Sequence, residues 1–501
     1  MSYRLPQRFT IGSVLVGLAL TLASCADKGS GTAPAPTPPA VEVPPVLTPG
    51  LGAAGIAGLN WADTRDNFTD DALVLSGLAA GDDYATVQTK TDRIVTGFQA
   101  STSANTVRLP INPPTVLGSG WTAYTGAIDK SLSKGMKVIL ACWESNSSRN
   151  GRVDDLTLFN SMWQVVVAKY GTNANVYFEV FNEPHGYNLA DLSSLYADWL
   201  GRNPGVPQGR VLLDGEGYAQ QIAGIGADSR FSSCLLSIHI YDFFYNSPTT
   251  TAASWENAFA ANLGSYASRA VLTEWGAFMT AGVNYYAAID NDVKKSYLLG
   301  ISNYCRQKGI ASVYWPGLRT GDQYSLLQFD GTNTTASNSS GLGRVQFGWG
   351  MGMGGTNQFY PTASYRFINR SSGQVMDVNG ASKTNMAPVI QYSQNGDFNQ
   401  QWQLSVVGSS IYNIANRNSS LALDVMGAST ASAAAIVQNA VTSATSQQWQ
   451  FTATADGFYK VTNRNSTLGL DVSGSSTATA APLVQNAAST ATSQQWLIWQ
   501  Q

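Results

Sequence analysis

Glu183 and Glu274 each stand where an apolar, β-branched run gives way to a turn. The first closes Val176-Tyr177-Phe178-Glu179-Val180-Phe181-Asn182-Glu183-Pro184; the second closes Ala270-Val271-Leu272-Thr273-Glu274-Trp275-Gly276. Such runs ending at Pro or Gly are the pattern of buried strands that stop. A carboxylate there is neither core nor ordinary surface. Two carboxyl groups that a fold brings together can cleave the acetal bond between sugars, one protonating the leaving oxygen while the other attacks the carbon or activates water.

The elements that must position them alternate along the chain. Short apolar strands are predicted at 55–60, 104–109, 137–142, 176–182, 210–214, 235–241, 270–275 and 311–316, with helical patterns between several of them, such as Leu156 to Tyr170 and Lys294 to Lys308. Eight strands with helical crossovers point to a parallel (β/α)8 barrel. A doubly wound sheet is the alternative, but no Gly-rich phosphate turn follows the first strand. One further helix is expected within the Gly-rich stretch 341–355.

A barrel builds its site at the C-terminal strand ends. Reading along those ends gives Arg108, Trp143 and Glu144, Asn182 and Glu183, His239 and Tyr241, Glu274, and Trp315. Any one of these could serve packing alone, as a satisfied core arginine or imidazole does. Jointly they place polar and aromatic groups around one mouth. The loop Asp63 to Asp71, dense in acids, reads as a solvated loop, with sugar hydroxyls or calcium as alternative partners.

The motifs Val107-Arg108-Leu109-Pro110, Asn182-Glu183-Pro184, His239-Ile240-Tyr241, Thr273-Glu274-Trp275-Gly276 and Tyr314-Trp315 resemble, in that order, glycoside hydrolase family 5, the cellulase-like family with catalytic glutamates on strands four and seven. The resemblance covers about 55–350. It implies a retaining double displacement with Glu183 as acid/base and Glu274 as nucleophile. It further implies that Asn182 holds the sugar 2-hydroxyl, that Arg108 and Tyr241 orient Glu274, and that Trp315 forms a stacking floor. An arginine beside Glu274 should lower its pKa, and the charge of Glu274 should raise that of Glu183. No metal or cofactor is called for. The chain departs from the family at the third strand end, where Cys142-Trp143-Glu144 replaces the usual histidine, which alters a wall of the sugar site and leaves the substrate open.

The C-terminal part repeats with a period of 47 residues: Asp377, Asp424 and Asp471 in Met/Leu-Asp-Val; Gln391, Gln438 and Gln485; Trp402, Trp449 and Trp496. Three equal periods define three units too small to bury a core alone. Gln400-Gln401-Trp402, Gln447-Gln448-Trp449 and Gln494-Gln495-Trp496 fit the Gln-x-Trp pattern of ricin-type β-trefoil lectins, over about 361–501. The resemblance implies sugar contacts from the three aspartates and from Gln391, Gln438 and Gln485, with the tryptophans in the core. Only the first unit adds an aromatic residue and an asparagine, Tyr392 and Asn399, so it is expected to bind best; the other two could be wholly structural.

The ends and composition complete the reading. Arg4 and Arg8 precede the apolar run Ile11 to Ala23, which closes on Leu22-Ala23-Ser24-Cys25 and resembles a bacterial lipoprotein signal with Cys25 as the lipidated residue. The divisions expected are a signal at 1–25, a Pro/Ala/Thr-rich tether at 26–50, the barrel at 51–350, a linker at 351–360 and the trefoil at 361–501. Charged residues make up 12% and the net charge is −3, so no footprint for nucleic acid exists. The 13 Trp and 22 Tyr instead suit sugar faces. Cys142, Cys234 and Cys305 read as buried free thiols, with one disulfide among them as the alternative. The expectation is an exported, monomeric hydrolase of a polysaccharide, in the bacterial cell envelope by a lipid anchor or secreted. Within that class, endo-β-glycanase action on glucan or mannan stands beside exo-action on galactose- or arabinose-containing glycans. A catalytically silent carbohydrate-binding lipoprotein is the rival from another class.

Overall fold

The structure, a computed structural model, describes residues 55–245, 250–279, 282–285, 289, 291–351, 359, 361–454 and 458–500. The expected signal, tether and Cys25 lie outside the described residues, as does most of 351–360.

Eight parallel strands pair in chain order: β1 (Ala57–Trp61), β2 (Thr106–Ile111), β3 (Lys137–Cys142), β4 (Val176–Glu179), β5 (Val211–Asp214), β6 (Leu235–His239), β7 (Ala270–Glu274) and β8 (Ala311–Leu318). β8 also pairs with β1, which closes the barrel. The crossovers carry helices whose ends follow from sequence: Asp155 caps Leu156–Tyr170, Asp292 caps Val293–Lys308, and Gly309 ends the latter with a left-handed φ of 63°. The late helix is present as Ser339–Gly348.

Strand periodicity puts chemistry on top of packing. Ile139, Tyr177, Leu212, Leu235, Val271 and Val313 form one buried cluster from the starts of six strands. Two residues further along the same faces come Glu179, Asp214, Ser237 and Thr273, all buried. The barrel is therefore filled with aliphatic side chains and Tyr177 at the bottom and with carboxylates and hydroxyls toward the top.

β4 is shorter than expected. It leaves the regular ladder after Glu179, and Val180, Phe181 and Asn182 stay buried on irregular contacts: Val180 donates to the Leu212 carbonyl at 3.2 Å and Asn182 to the Cys142 carbonyl at 2.8 Å. Glu183 thus sits on a turn beyond the strand, not at its last residue.

The C-terminal part is a β-trefoil of three four-stranded units. Its first strand, Tyr365–Asn369, pairs with the last, Gln495–Gln500. Ala387–Tyr392, Ala434–Asn439 and Leu483–Asn486, one strand per unit, meet around the pseudo-threefold axis. Trp402, Trp449 and Trp496 are fully buried, and each indole N–H donates at 3.1 Å to a carbonyl, of Met376, Leu423 or Leu470. The same bond made three times is the physical content of the 47-residue period. Cys142, Cys234 and Cys305 are free and buried.

Candidate active site

Arg108 organises the barrel mouth. From β2 its guanidinium reaches four groups: Nε and Nη2 clamp the two carboxylate oxygens of Glu179 at 2.7 and 2.5 Å, Nη2 also meets Asn182 Oδ1 at 2.6 Å, and Nη1 meets Asn60 Oδ1 at 2.8 Å and Glu274 Oε1 at 2.6 Å. A buried guanidinium requires such pairing, and its planar fork fits carboxylates that a lysine would meet only as a point charge. Glu274 receives a second bond on Oε2 from the Tyr241 hydroxyl at 3.1 Å. Both lone-pair sectors of this carboxylate are thereby oriented. Gly276 beyond it admits no side chain, since a Cβ would come within 2.1 Å of the Trp315 carbonyl.

His239 stands between the two glutamates. Its Nδ1 lies 3.0 Å from Glu183 Oε1 and 3.7 Å from Glu274 Oε2. Burial pushes the imidazole down to about 4, so it is neutral at neutral pH. An oxygen of Glu183, an oxygen of Glu274 and this nitrogen all lie within 4.8 Å of one another.

The two carboxyls differ in environment. Burial pushes Glu183 up to about 7, against the lowering influence of His185 and Arg108. Glu274 is also raised above the ordinary carboxylate value, by burial, with His239 and Arg108 opposing. The expectation that Arg108 would leave Glu274 with a lowered pKa is therefore corrected: desolvation outweighs the cation. Burial, rather than the charge of Glu274, is the main cause at Glu183. Glu183, pushed up to about 7, is suited to hold a proton, whereas Glu274 is tied directly to the Arg108 guanidinium.

Asn182 offers Nδ2, buried and without a partner, while its oxygen is held by Arg108. That leaves its two N–H donors free for a substrate hydroxyl. Trp143 stacks on Trp315 with ring centroids 5.5 Å apart and takes the edge of Phe68 at 4.6 Å. The indole thus occupies the wall where the family pattern has histidine. Glu144 Oε2 accepts from the Gly151 amide at 2.9 Å, and its Oε1 is buried without a partner. Burial raises its pKa. The loop Asp63 to Asp71 is not simply solvated. Asp63 is fully buried and bound by Arg65, which also pairs with Asp71 at 2.7 Å, so these two acids are neutralised within the loop.

Several site residues had no sequence signal of their own. Asn60, Glu179 and Asp214 are inward strand positions whose partners lie on other strands. His185 bonds the Glu183 carbonyl through Nδ1 at 2.9 Å and stacks on Tyr218 at 4.0 Å and 10°. Tyr218 stands on a turn in which Gly217, Tyr218 and Ala219 all have positive φ; the glycines around Glu216 were the only hint of it.

In the trefoil, Asp377 is held on both oxygens, by Asn399 at 2.9 Å and Gln400 at 2.8 Å, and burial raises it to about 6. Asp424 is held by Asn439 and Gln447, and Asp471 by Asn486 and Gln494, each on Oδ2 alone. Tyr392 is exposed beside the first of these positions. Gln391, Gln438 and Gln485 are fully buried, and each side-chain amide donates to two backbone carbonyls of another unit while its oxygen accepts from a serine. They tie the three units together and present nothing to a sugar, contrary to expectation. Gln400, Gln447 and Gln494 hold the aspartates instead.

Comparison with known proteins places both domains in families. The family model for cellulase (glycosyl hydrolase family 5) matches residues 75–317. The barrel is a glycosyl hydrolase family 5 domain. The model for a ricin-type β-trefoil lectin domain-like family matches 354–439 and 445–501, so a lectin-like domain follows it. The chain is accordingly a glycosidase that hydrolyses O-glycosyl compounds. Among solved structures, the designed threefold-symmetric protein ThreeFoil shares 39% identity over 27% of this chain and 97% of its own, with a TM-score of 0.27. An exo-beta-1,3-galactanase from Clostridium thermocellum shares 27% over 36% of this chain and 40% of its own, with a TM-score of 0.27. Cel5A (EG2) from Hypocrea jecorina shares 17% over 58% of this chain and 97% of its own, with a TM-score of 0.43. No curated protein matches the chain.

Proposed function

We propose that this family 5 glycosidase cleaves a polysaccharide with retention of anomeric configuration, and that the trefoil keeps it on the polymer. In the first step a Glu274 oxygen attacks the anomeric carbon while Glu183 gives its proton to the departing glycosidic oxygen. In the second, Glu183 takes a proton from the water that displaces Glu274. The observation that carries this reading is the closeness of the carboxyls: oxygens within 4.8 Å suit direct attack, which works at about 5–5.5 Å between carboxyls, whereas inversion leaves room for water at about 6.5–9.5 Å. The proposal extends to export, with the chain anchored at the bacterial envelope through Cys25 or secreted, and acting as a monomer. The test is covalent trapping. A 2-deoxy-2-fluoro glycosyl fluoride of a cleaved sugar should label Glu274, identified by peptide mass spectrometry, and Glu274→Gln should abolish both labelling and turnover while polysaccharide binding persists. Labelling elsewhere overturns the assignment.

A second reading concerns the mode of attack, exo-action on galactose- or arabinose-containing chains. One observation favours exo-action: the loops after β1 and β3 meet across the mouth. Phe68 packs on Trp143, Arg149 lies 4.2 Å over the Phe68 ring, and Asp70 accepts from the Ser147 amide at 2.8 Å. Such a bridge closes one end of a cleft.

A further inference from the structure

Glu183 has a left-handed backbone, with φ 52°, a conformation that a non-glycine residue keeps only when its surroundings impose it. Two groups hold it there. His185 bonds its carbonyl from within the same turn. The other is Asp214, at the end of β5, whose Oδ2 accepts the Glu183 amide at 3.0 Å across 31 residues of chain. Asp214 has no surface exposure and a rigid seat, because the Tyr196 hydroxyl donates to its backbone carbonyl at 2.9 Å.

The geometry points to Asp214 as a positioning residue that aims the acid/base: its carboxyl fixes the backbone from which the Glu183 side chain reaches the glycosidic oxygen, and does so as a neutral acid. This rests on the assignment of Glu183 as acid/base.

The neutral form follows from the neighbours. One oxygen of Asp214, one of Glu179 and a ring nitrogen of His239 lie within 4.8 Å of one another, and Glu179 already gives both oxygens to Arg108. Asp214 Oδ1 and His239 Nε2 are both buried without a hydrogen-bond partner. A second bare carboxylate here would repel Glu179 in a dry interior. A proton on the Asp214 carboxyl removes that repulsion. Burial, followed by the charge of Glu179, holds Asp214 well above the usual carboxylate range, with Arg108 opposing.

The test separates aim from folding. Phenyl and 2,4-dinitrophenyl glycosides of the sugar that the wild-type enzyme cleaves best differ only in how much their leaving oxygen needs a proton. Asp214→Ala should lose about 100-fold or more in kcat/KM on the phenyl glycoside, the range of a general acid's contribution, and little on the dinitrophenyl glycoside. Asp214→Asn, which keeps an uncharged acceptor for the Glu183 amide, should stay close to wild type on both. Equal losses on the two substrates, no loss on either, or an inactive Asp214→Asn would overturn the proposal. Should the alanine variant fail to fold, Asp214→Ser, too short to hold the amide, carries the same expectation. Glu183→Ala is the control. If it shows no leaving-group dependence, the acid/base assignment itself is wrong; if it does and Asp214→Ala does not, only the role of Asp214 falls.

Discussion

Glu183 and Glu274 were visible in the sequence because each ends an apolar run at a turn, and Arg108, His239 and Tyr241 because the apolar runs predict them at other strand ends, although Arg108 sits within β2 and Tyr241 just beyond β6. Their setting was not visible. Glu179 and Asp214 read as ordinary strand residues until register across strands places them under Arg108 and under the Glu183 amide. That setting has a consequence for pH. Glu183 must carry a proton in the first step and burial pushes it up to about 7, so kcat/KM should fall as pH rises through about 7. Glu274 must be ionised and is also raised by burial, so activity should fall again on acidification, at a pH above the ordinary glutamate range. A pH profile of kcat/KM reads these limbs for the free enzyme. With the dinitrophenyl glycoside, whose leaving oxygen needs little protonation, Glu183→Gln should keep its kcat/KM and show the acidic limb without a basic one.

At the scale of elements, strand count and order were legible from apolar runs punctuated by Gly and Pro, and helix ends from Asp155, Asp292 and Gly309. The early exit of β4 was not, because Val180 and Phe181 are as apolar as strand residues and only tertiary contacts show that they leave the ladder. Nor could composition show that the loops after β1 and β3 meet, since Phe68, Trp143 and Arg149 are far apart in sequence and joined by ring contacts. If that bridge closes the cleft, oligosaccharides labelled at the reducing end should lose short units from the opposite end, and Phe68→Ala should loosen the bridge and allow internal cuts. Chromatography of the labelled products decides this. Internal cuts by the wild-type enzyme at the outset would show that the cleft is open.

For the molecule as a whole, the 47-residue repeat revealed the trefoil because a buried tryptophan and its carbonyl recur in every unit. The same regularity misled about Gln391, Gln438 and Gln485: a residue repeated three times can serve the threefold core as readily as a ligand. The first unit remains the one in which the aspartate is held on both oxygens beside an exposed tyrosine. Asp377→Ala should therefore weaken retention on insoluble polysaccharide more than Asp424→Ala or Asp471→Ala, with kinetics on a soluble aryl glycoside unchanged in all three. Affinity electrophoresis beside aryl-glycoside kinetics checks both halves. Both domains serve the proposed reaction, in which the barrel cuts the chain it is held on by direct attack of Glu274. Proton NMR of the first product formed, recorded before mutarotation, tests this most directly. The new reducing end should have the anomeric configuration of the bond cleaved; the opposite anomer would contradict direct attack by Glu274.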